Sequence, residues 1–283
     1  MAIYHLHAAT INRSRGQNAV ASAAYRQRAD LTDQNTGERF RYGKMADHRE
    51  TFMVYPDGTD PEDKYDSAKL WSKAEAANTR KNAVTAREYE FSLPRELDDR
   101  SQKFLALDFA LGLARRGMAC QASIHDGAGE NPHAHIMGTN GIFNDGEIGK
   151  PNREWSQKPF LKELRKEWEL KLNKMLKLHN LPEVSSESFK TRGMDRPPQI
   201  HEGPTARKME AEGRYSVKAH YNSKLIDIQL NQDIQIIQRE EGSKVLEEFH
   251  AAERRRYYEN LGVDPDSLTV TKPEVEKDDD YGY

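Results

Sequence analysis

The feature that most constrains this chain is the segment spanning residues 125–135, which reads His-Asp-Gly-Ala-Gly-Glu-Asn-Pro-His-Ala-His. Residues 118–125 and 133–138 have the composition of two strands, and the glycines and proline between them read as the turn of a hairpin. A strand sends residues two apart to one face, so His133 and His135 point together, with Ala134 opposite. His125 ends the preceding strand, and a tight turn returns the chain beside it. Three imidazoles thereby converge within one hairpin. Neutral imidazole binds divalent metals, and a three-histidine site leaves positions open for substrate oxygens. A lone histidine here would be an ordinary half-buried side chain; three across one glycine-rich turn favour a metal site.

The rest of the chain supplies a frame for that hairpin. Residues 3–8 alternate as a first strand. Residues 86–93 alternate too, with Arg87, Tyr89, Phe91 and Leu93 on one face and Glu88, Glu90 and Ser92 on the other, until Pro94 stops them. Helical patterns cover residues 18–28, 67–82 and 98–116. Another covers 161–180, where Leu161, Leu164, Trp168, Leu172 and Leu176 recur at helical spacing. Residues 30–63 are turn-rich and read as loop with a short hairpin, and residues 193–203 as irregular. A highly charged helix follows from 215 to 261, or two broken near Gly242. It carries an apolar stripe of Ile226, Leu230, Ile234 and Ile237 that must be buried somewhere. The expected fold is α+β, an antiparallel sheet covered by helices. The expected organisation is a body over residues 1–215, a helical extension over 216–262 and a disordered acidic tail over 263–283.

Composition excludes several classes. With 31% charged residues and a mean hydropathy of -0.93, the chain has no apolar run long enough to span a bilayer, so no membrane insertion is expected. Its opening residues alternate and lack the basic-then-apolar pattern of a secretory signal. The single cysteine, Cys120, rules out an intrachain disulfide and suits a reducing compartment, as a small core residue. The formal net charge is -3, yet residues 150–218 hold sixteen Lys or Arg against ten Asp or Glu. A basic body with an acidic tail permits local phosphate binding.

Two further features stay open on residue chemistry alone. Glu88 and Glu90 share a strand face and could orient a metal-bound histidine or accept a proton; a solvated strand face explains them equally well. Tyr25 sits among Val20, Ala21, Ala23 and Ala24, and by itself reads as an interfacial aromatic with its hydroxyl in water.

In order along the chain, these motifs resemble the MobA/MobL relaxases of mobilisable plasmids, within the HUH-type endonucleases. The likeness rests on the opening Met1 to Leu6, the stretch from Gln17 through Tyr25-Arg26-Gln27-Arg28, Arg87-Glu88 through Leu97, and His125 through His135. It continues through Trp168, Asn173 and the segment Gly193 to Gly203, and so covers about the first 215 residues. The resemblance implies a five-stranded antiparallel palm flanked by helices, with His125, His133 and His135 holding a divalent metal. Mn²⁺ or Mg²⁺ come first, with Zn²⁺ as a further candidate, and no nucleotide cofactor is expected.

By the same likeness Tyr25 becomes the nucleophile, with Glu88 or Glu90 assisting. A phenol holds its proton well above neutral pH, so a base or nearby cation must ease its removal. The implied activity is nicking and religation of one DNA strand at an origin of transfer through a 5′-phosphotyrosine intermediate, initiating conjugative mobilisation. The implied substrate is single-stranded DNA beside a hairpin, with Arg13, Arg15, Arg26, Arg28, Lys190, Arg192 and Arg196 as candidate phosphate contacts. Accessory transfer proteins or a coupling protein are further candidate partners, in the bacterial cytoplasm and plasmid-encoded. Two alternatives remain: a three-histidine metal hydrolase with Tyr25 structural, and a DNA-binding protein whose histidines hold a structural metal. Structural sites usually close with four ligands, and no cysteine is near to supply one.

Overall fold

The structure, a computed structural model, describes residues 4–43, 47–126, 131–194, 197–198, 200 and 202–260. The chain divides into two compact units, Met1–Glu187 and Ser188–Tyr283. The first unit runs β1 (Leu6–Asn12), α1 (Ala19–Gln27), the hairpin β2 (Asp30–Thr32) and β3 (Arg39–Arg41), β4 (His48–Val54) and α2 (Ser67–Ala77). It continues through β5 (Val84–Ser92), α3 (Asp99–Ala114), β6 (Cys120–His125), β7 (His133–Thr139), a second hairpin β8 (Gly141–Asn144) and β9 (Glu147–Pro151), and α4 (Lys158–Leu178).

Five of these strands form one sheet in the order β1-β5-β7-β6-β4, every neighbour antiparallel. This is the expected five-stranded palm. Period-2 alternation gives the sheet two different faces. Tyr89, Phe91, Ala122, Ile124, Ala134 and Ile136 face Leu105, Phe109 and Leu113 of α3 and Leu164, Trp168 and Leu172 of α4. The Phe91 and Trp168 ring centroids lie 4.1 Å apart, and those of Phe91 and Phe109 4.9 Å. A buried aromatic cut to alanine costs about 3–5 kcal/mol, so this layer sets the sheet firmly.

On the other face, Ile11, Ala86 and Met137 pack against α1 and α2 through Ala19, Val20, Ala23, Leu70 and Trp71. The small residues of α1 bring its backbone down onto the sheet. The Ala23 carbonyl accepts from Gln121 Nε2 at 3.2 Å, and the Gln121 amide oxygen accepts from Trp71 Nε1 at 2.7 Å. A helix with large side chains could not approach so closely.

Several elements depart from the sequence expectation. β1 is displaced to Leu6–Asn12, and α2 ends at Ala77, before residue 82. β4 lies inside the region read as loop: its first half is His-Arg-Glu-Thr, and as an edge strand it needs little apolar character. The β8–β9 hairpin was not expected, although Asp145-Gly146 carries a turn signal and both residues take positive φ, 47° and 69°. α3 ends at Ala114, ahead of residue 116, and Gly117 follows with φ 96°, a conformation glycine adopts freely.

In the second unit, α5 (Gly203–Ala211) precedes a single helix, α6 (Val217–Asn260), which continues through Gly242. The Asn222 side chain donates to the Ile200 carbonyl and accepts from its N–H, both at 2.8 Å. Of the apolar stripe, Ile226 is exposed; the side chains of Leu230, Ile234 and Ile237 lie outside the described residues, as does the whole of the tail 263–283. Among the described residues no helix is long and apolar enough to cross a membrane.

Candidate functional site

The β6–β7 register sets His125 opposite His133 and Ser123 opposite His135. One ligand-capable atom from each of the three histidines falls within 4.8 Å of the other two, with ring centroids 5.0–5.2 Å apart. Each ring is held by an oxygen acceptor. His125 Nε2 donates to the Arg26 carbonyl at the end of α1. His133 Nδ1 donates to the Asn131 carbonyl at 2.6 Å, and His135 Nδ1 to Glu88 Oε1 at 3.0 Å. A neutral imidazole with one nitrogen donating keeps a lone pair on the other. His125 Nδ1, His133 Nε2 and His135 Nε2 are therefore left as ligand atoms. His125 Nδ1 is buried and has no hydrogen-bond partner among the described residues, a state that costs about 1–3 kcal/mol and that a metal would relieve. Three neutral imidazoles, one backed by a carboxylate, are a donor set that fits a divalent cation.

Burial keeps two of the three rings, His125 and His133, in the neutral form that binds a metal. Burial pushes His125 down to about 4, with the positive potential of its neighbours adding to the shift. His133 is lowered as well, again chiefly by burial. Burial alone would raise the Glu88 carboxyl, but hydrogen bonds from His135 and Arg26 outweigh it and hold the group at about 2. A consequence follows for the metal-free protein. Below about pH 6.5 the unfolded chain protonates its histidines, while folded His125 refuses the proton until about pH 4. Stability should therefore fall as pH drops from 6.5 to 4. Urea unfolding across that range with a chelator present checks this: His125→Asn should flatten the slope, and an unchanged slope would refute the assignment.

Tyr25 lies in the last turn of α1 and is 41% exposed. Its ring meets Tyr42 edge-on at 5.5 Å, and the Arg28 guanidinium sits 4.3 Å from its centroid. Arg28 has φ 53°, the left-handed conformation that closes the helix, a cost of roughly 1–2 kcal/mol for a non-glycine residue. Its side chain is fixed by two hydrogen bonds to Asp47, at 2.7 and 2.8 Å, and one to the Tyr25 carbonyl. Between the two, Arg26 binds both Glu88 oxygens through its guanidinium and His125 through its carbonyl. The end of α1 that carries Tyr25 is thus tied to the histidine cluster at two points.

The two glutamates differ. Glu88 is buried and engaged by Arg26 and His135. Glu90 pairs with His135 in the β5–β7 register, yet its carboxylate stops 3.9 Å from His135 Nδ1 and its side chain is 39% exposed.

The basic candidates also divide. Arg13, Arg26 and Arg28 are paired internally with Glu75, Glu88 and Asp47. Arg15 is exposed; Lys190 and Arg192 are exposed in the second unit, and Arg196 lies outside the described residues. Three cations not singled out from sequence, Arg80, Lys150 and Arg153, are exposed and line a cleft of about 800 Å³. That cleft lies near the start of β5, away from the histidines. Tyr42, Asp47 and Asn131 were also missed. The first two fall in the segment read as loop, where no pattern marks them. Cys120 is a buried core thiol, as expected, its pKa raised by burial.

Residues 17–212 match the model of the MobA/MobL family. The chain is 31% identical over 257 residues to mobilization protein MobL of Acidithiobacillus ferridurans, across 78% of this chain and 67% of that protein. It is 31% identical over 258 residues to mobilization protein A of Escherichia coli, across 81% of this chain but only 34% of that protein. A solved structure described as "Molecular Basis of Vancomycin Resistance Transfer in Staphylococcus aureus" superposes with a TM-score of 0.62 at 31% identity, over 66% of this chain and 100% of that one. The family match covers most of the chain and includes Tyr25, Arg26, Glu88, Glu90 and all three histidines. By that match and those identities, the chain belongs to the MobA/MobL family.

Proposed function

We propose that this protein nicks one DNA strand at a plasmid origin of transfer, joining Tyr25 to the 5′ phosphate of the break, and religates it by the reverse reaction to begin mobilisation. The observation that carries this reading is the tie between Tyr25 and the histidine cluster through Arg26. A three-histidine hydrolase would have no need to anchor an exposed tyrosine in this way.

His125, His133 and His135 would hold the divalent cation, Mn²⁺ or Mg²⁺ before Zn²⁺. A cation held there would supply positive charge against the charge that builds on the phosphate. The phenolic oxygen of Tyr25 attacks phosphorus, the bond to the 3′ oxygen breaks, and that oxygen leaves as the new 3′ end. The phosphodiester is conserved as a phosphotyrosine, so religation needs no nucleotide. Of the two strand glutamates, Glu90 is the one free to receive the phenol proton, because Glu88 is committed to Arg26 and His135. Arg28, held by Asp47 beside the Tyr25 ring, favours the developing phenolate. Glu88 acts on the metal site by fixing the His135 ring and the end of α1. Among the exposed cations, Arg15, Arg80, Lys150, Arg153, Lys190 and Arg192 are assigned to tracking phosphates of single-stranded DNA and an adjacent hairpin. The nicking chemistry is assigned to the first unit.

The test is to incubate the full chain with single-stranded candidate-origin oligonucleotides and Mn²⁺ or Mg²⁺, then resolve the products under denaturing conditions. A protein–DNA adduct is expected. Cleavage without an adduct would favour the hydrolase, and metal binding without cleavage a structural site. The glutamates separate in the same assay. Glu90→Gln should slow cleavage about a hundredfold with metal affinity unchanged. Glu88→Gln should weaken metal binding by about 10- to 100-fold, measured by calorimetry. The reverse pattern would exchange the two roles.

A further inference from the structure

Between α1 and the β2–β3 hairpin lies a pocket of about 360 Å³, within the range of small-ligand sites, ~300–1,000 Å³. Tyr25, Phe40 and Tyr42 supply aromatic walls, and Gln17, Asn18 and Glu38 supply polar ones. The amide oxygens are already used: Gln17 Oε1 accepts from the Asn12 N–H at 2.9 Å, and Asn18 Oδ1 caps α1 through the Ala21 N–H at 3.0 Å. Both side chains therefore offer N–H donors to an occupant. Glu38 is exposed, and its carboxylate, which only accepts, forms no ion pair among the described residues. Arg26 is the one cation of the lining, and it is spent on Glu88.

This chemistry disfavours a phosphate and suits a flat, uncharged ring that both donates and accepts. Among the bases, guanine presents two adjacent N–H groups that match a carboxylate fork, with a carbonyl beside them for an amide N–H. Thymine, adenine and cytosine lack that pair of adjacent donors beside an acceptor. Because Tyr25 is itself a wall, the occupant sits beside the proposed nucleophile.

We propose that the pocket receives a guanine base from a nucleotide flanking the scissile phosphate, stacked on Phe40 and Tyr42 and read by Glu38. The β2–β3 hairpin then becomes a specificity element of the site. This rests on the DNA-nicking reading, but its test reads binding alone. Four fluorescein-labelled oligo(dT) 12-mers carrying one central dG, dA, dC or dT are titrated with the full chain, without metal, by anisotropy. The dG 12-mer should bind about tenfold tighter than the others, and Phe40→Ala should weaken it by about tenfold while Phe40→Tyr does not. Glu38→Gln should bring the dG 12-mer level with the other three. Equal binding of all four by the parent, or a uniform gain for all four in Glu38→Gln, would overturn the proposal. A dG preference in a chain that never forms a Tyr25 adduct would leave the pocket standing and remove the nicking reading.

Discussion

Tyr25→Phe is expected to leave DNA binding and metal affinity at their parental values while cleavage falls by at least about 10⁴-fold, the scale of losing a covalent nucleophile. The substitution removes one oxygen and keeps the ring. Its edge contact with Tyr42 and the Arg28 guanidinium beside it both survive. The side chain is 41% exposed, and its buried neighbour Arg28 keeps both bonds to Asp47, so the melting temperature should move little. Anisotropy with an origin oligonucleotide, calorimetry with Mn²⁺ and a single-turnover cleavage assay separate the three quantities. Cleavage near the parental rate would place the nucleophile elsewhere.

The second large effect is loss of a ligand. His133→Ala should weaken metal binding beyond the ~10–100-fold that an outer partner costs, with cleavage falling alongside and recovering at high Mn²⁺. The His133 ring is half-buried and, among the described residues, its hydrogen bond is to the neighbouring Asn131 carbonyl, so little else changes. His125→Ala should be worse and should not recover. His125 is fully buried and bonds the Arg26 carbonyl, so its loss also frees the end of α1 that carries Tyr25. Calorimetry on both variants, with cleavage measured across a Mn²⁺ series, checks the difference. Unchanged affinity in both would remove the metal site.

The histidine hairpin was legible because all its information is local: a turn signal and a period of two bring His125, His133 and His135 together whatever the rest of the chain does. The same holds for β5 and the amphipathic α4. The supports of the site were not legible. Arg26 reaches Glu88 across 62 positions and His125 across 99, and in sequence it is one arginine among many. By residue type it reads as a phosphate contact, as does Arg28, and the structure pairs each with an internal carboxylate. The edge strand β4 and the Tyr42–Asp47 segment share a polar, turn-rich stretch, because elements exposed on one side need few apolar residues. What distinguishes Glu88 from Glu90 is tertiary: one lies beneath Arg26, the other toward solvent, and two positions on one strand face look alike until the helix above them is placed.

The central claim is that Tyr25 joins DNA through its own oxygen. The most direct measurement is mass spectrometry of the denatured product formed from the full chain, Mn²⁺ and a candidate-origin oligonucleotide, followed by nuclease trimming and peptide mapping. The account predicts a mass increase equal to the trimmed 3′-side fragment with its 5′ phosphate, less one water, located on the peptide containing Tyr25. A modified peptide that lacks Tyr25, or a cleaved oligonucleotide recovered with a free 5′ phosphate and unmodified protein, would contradict it.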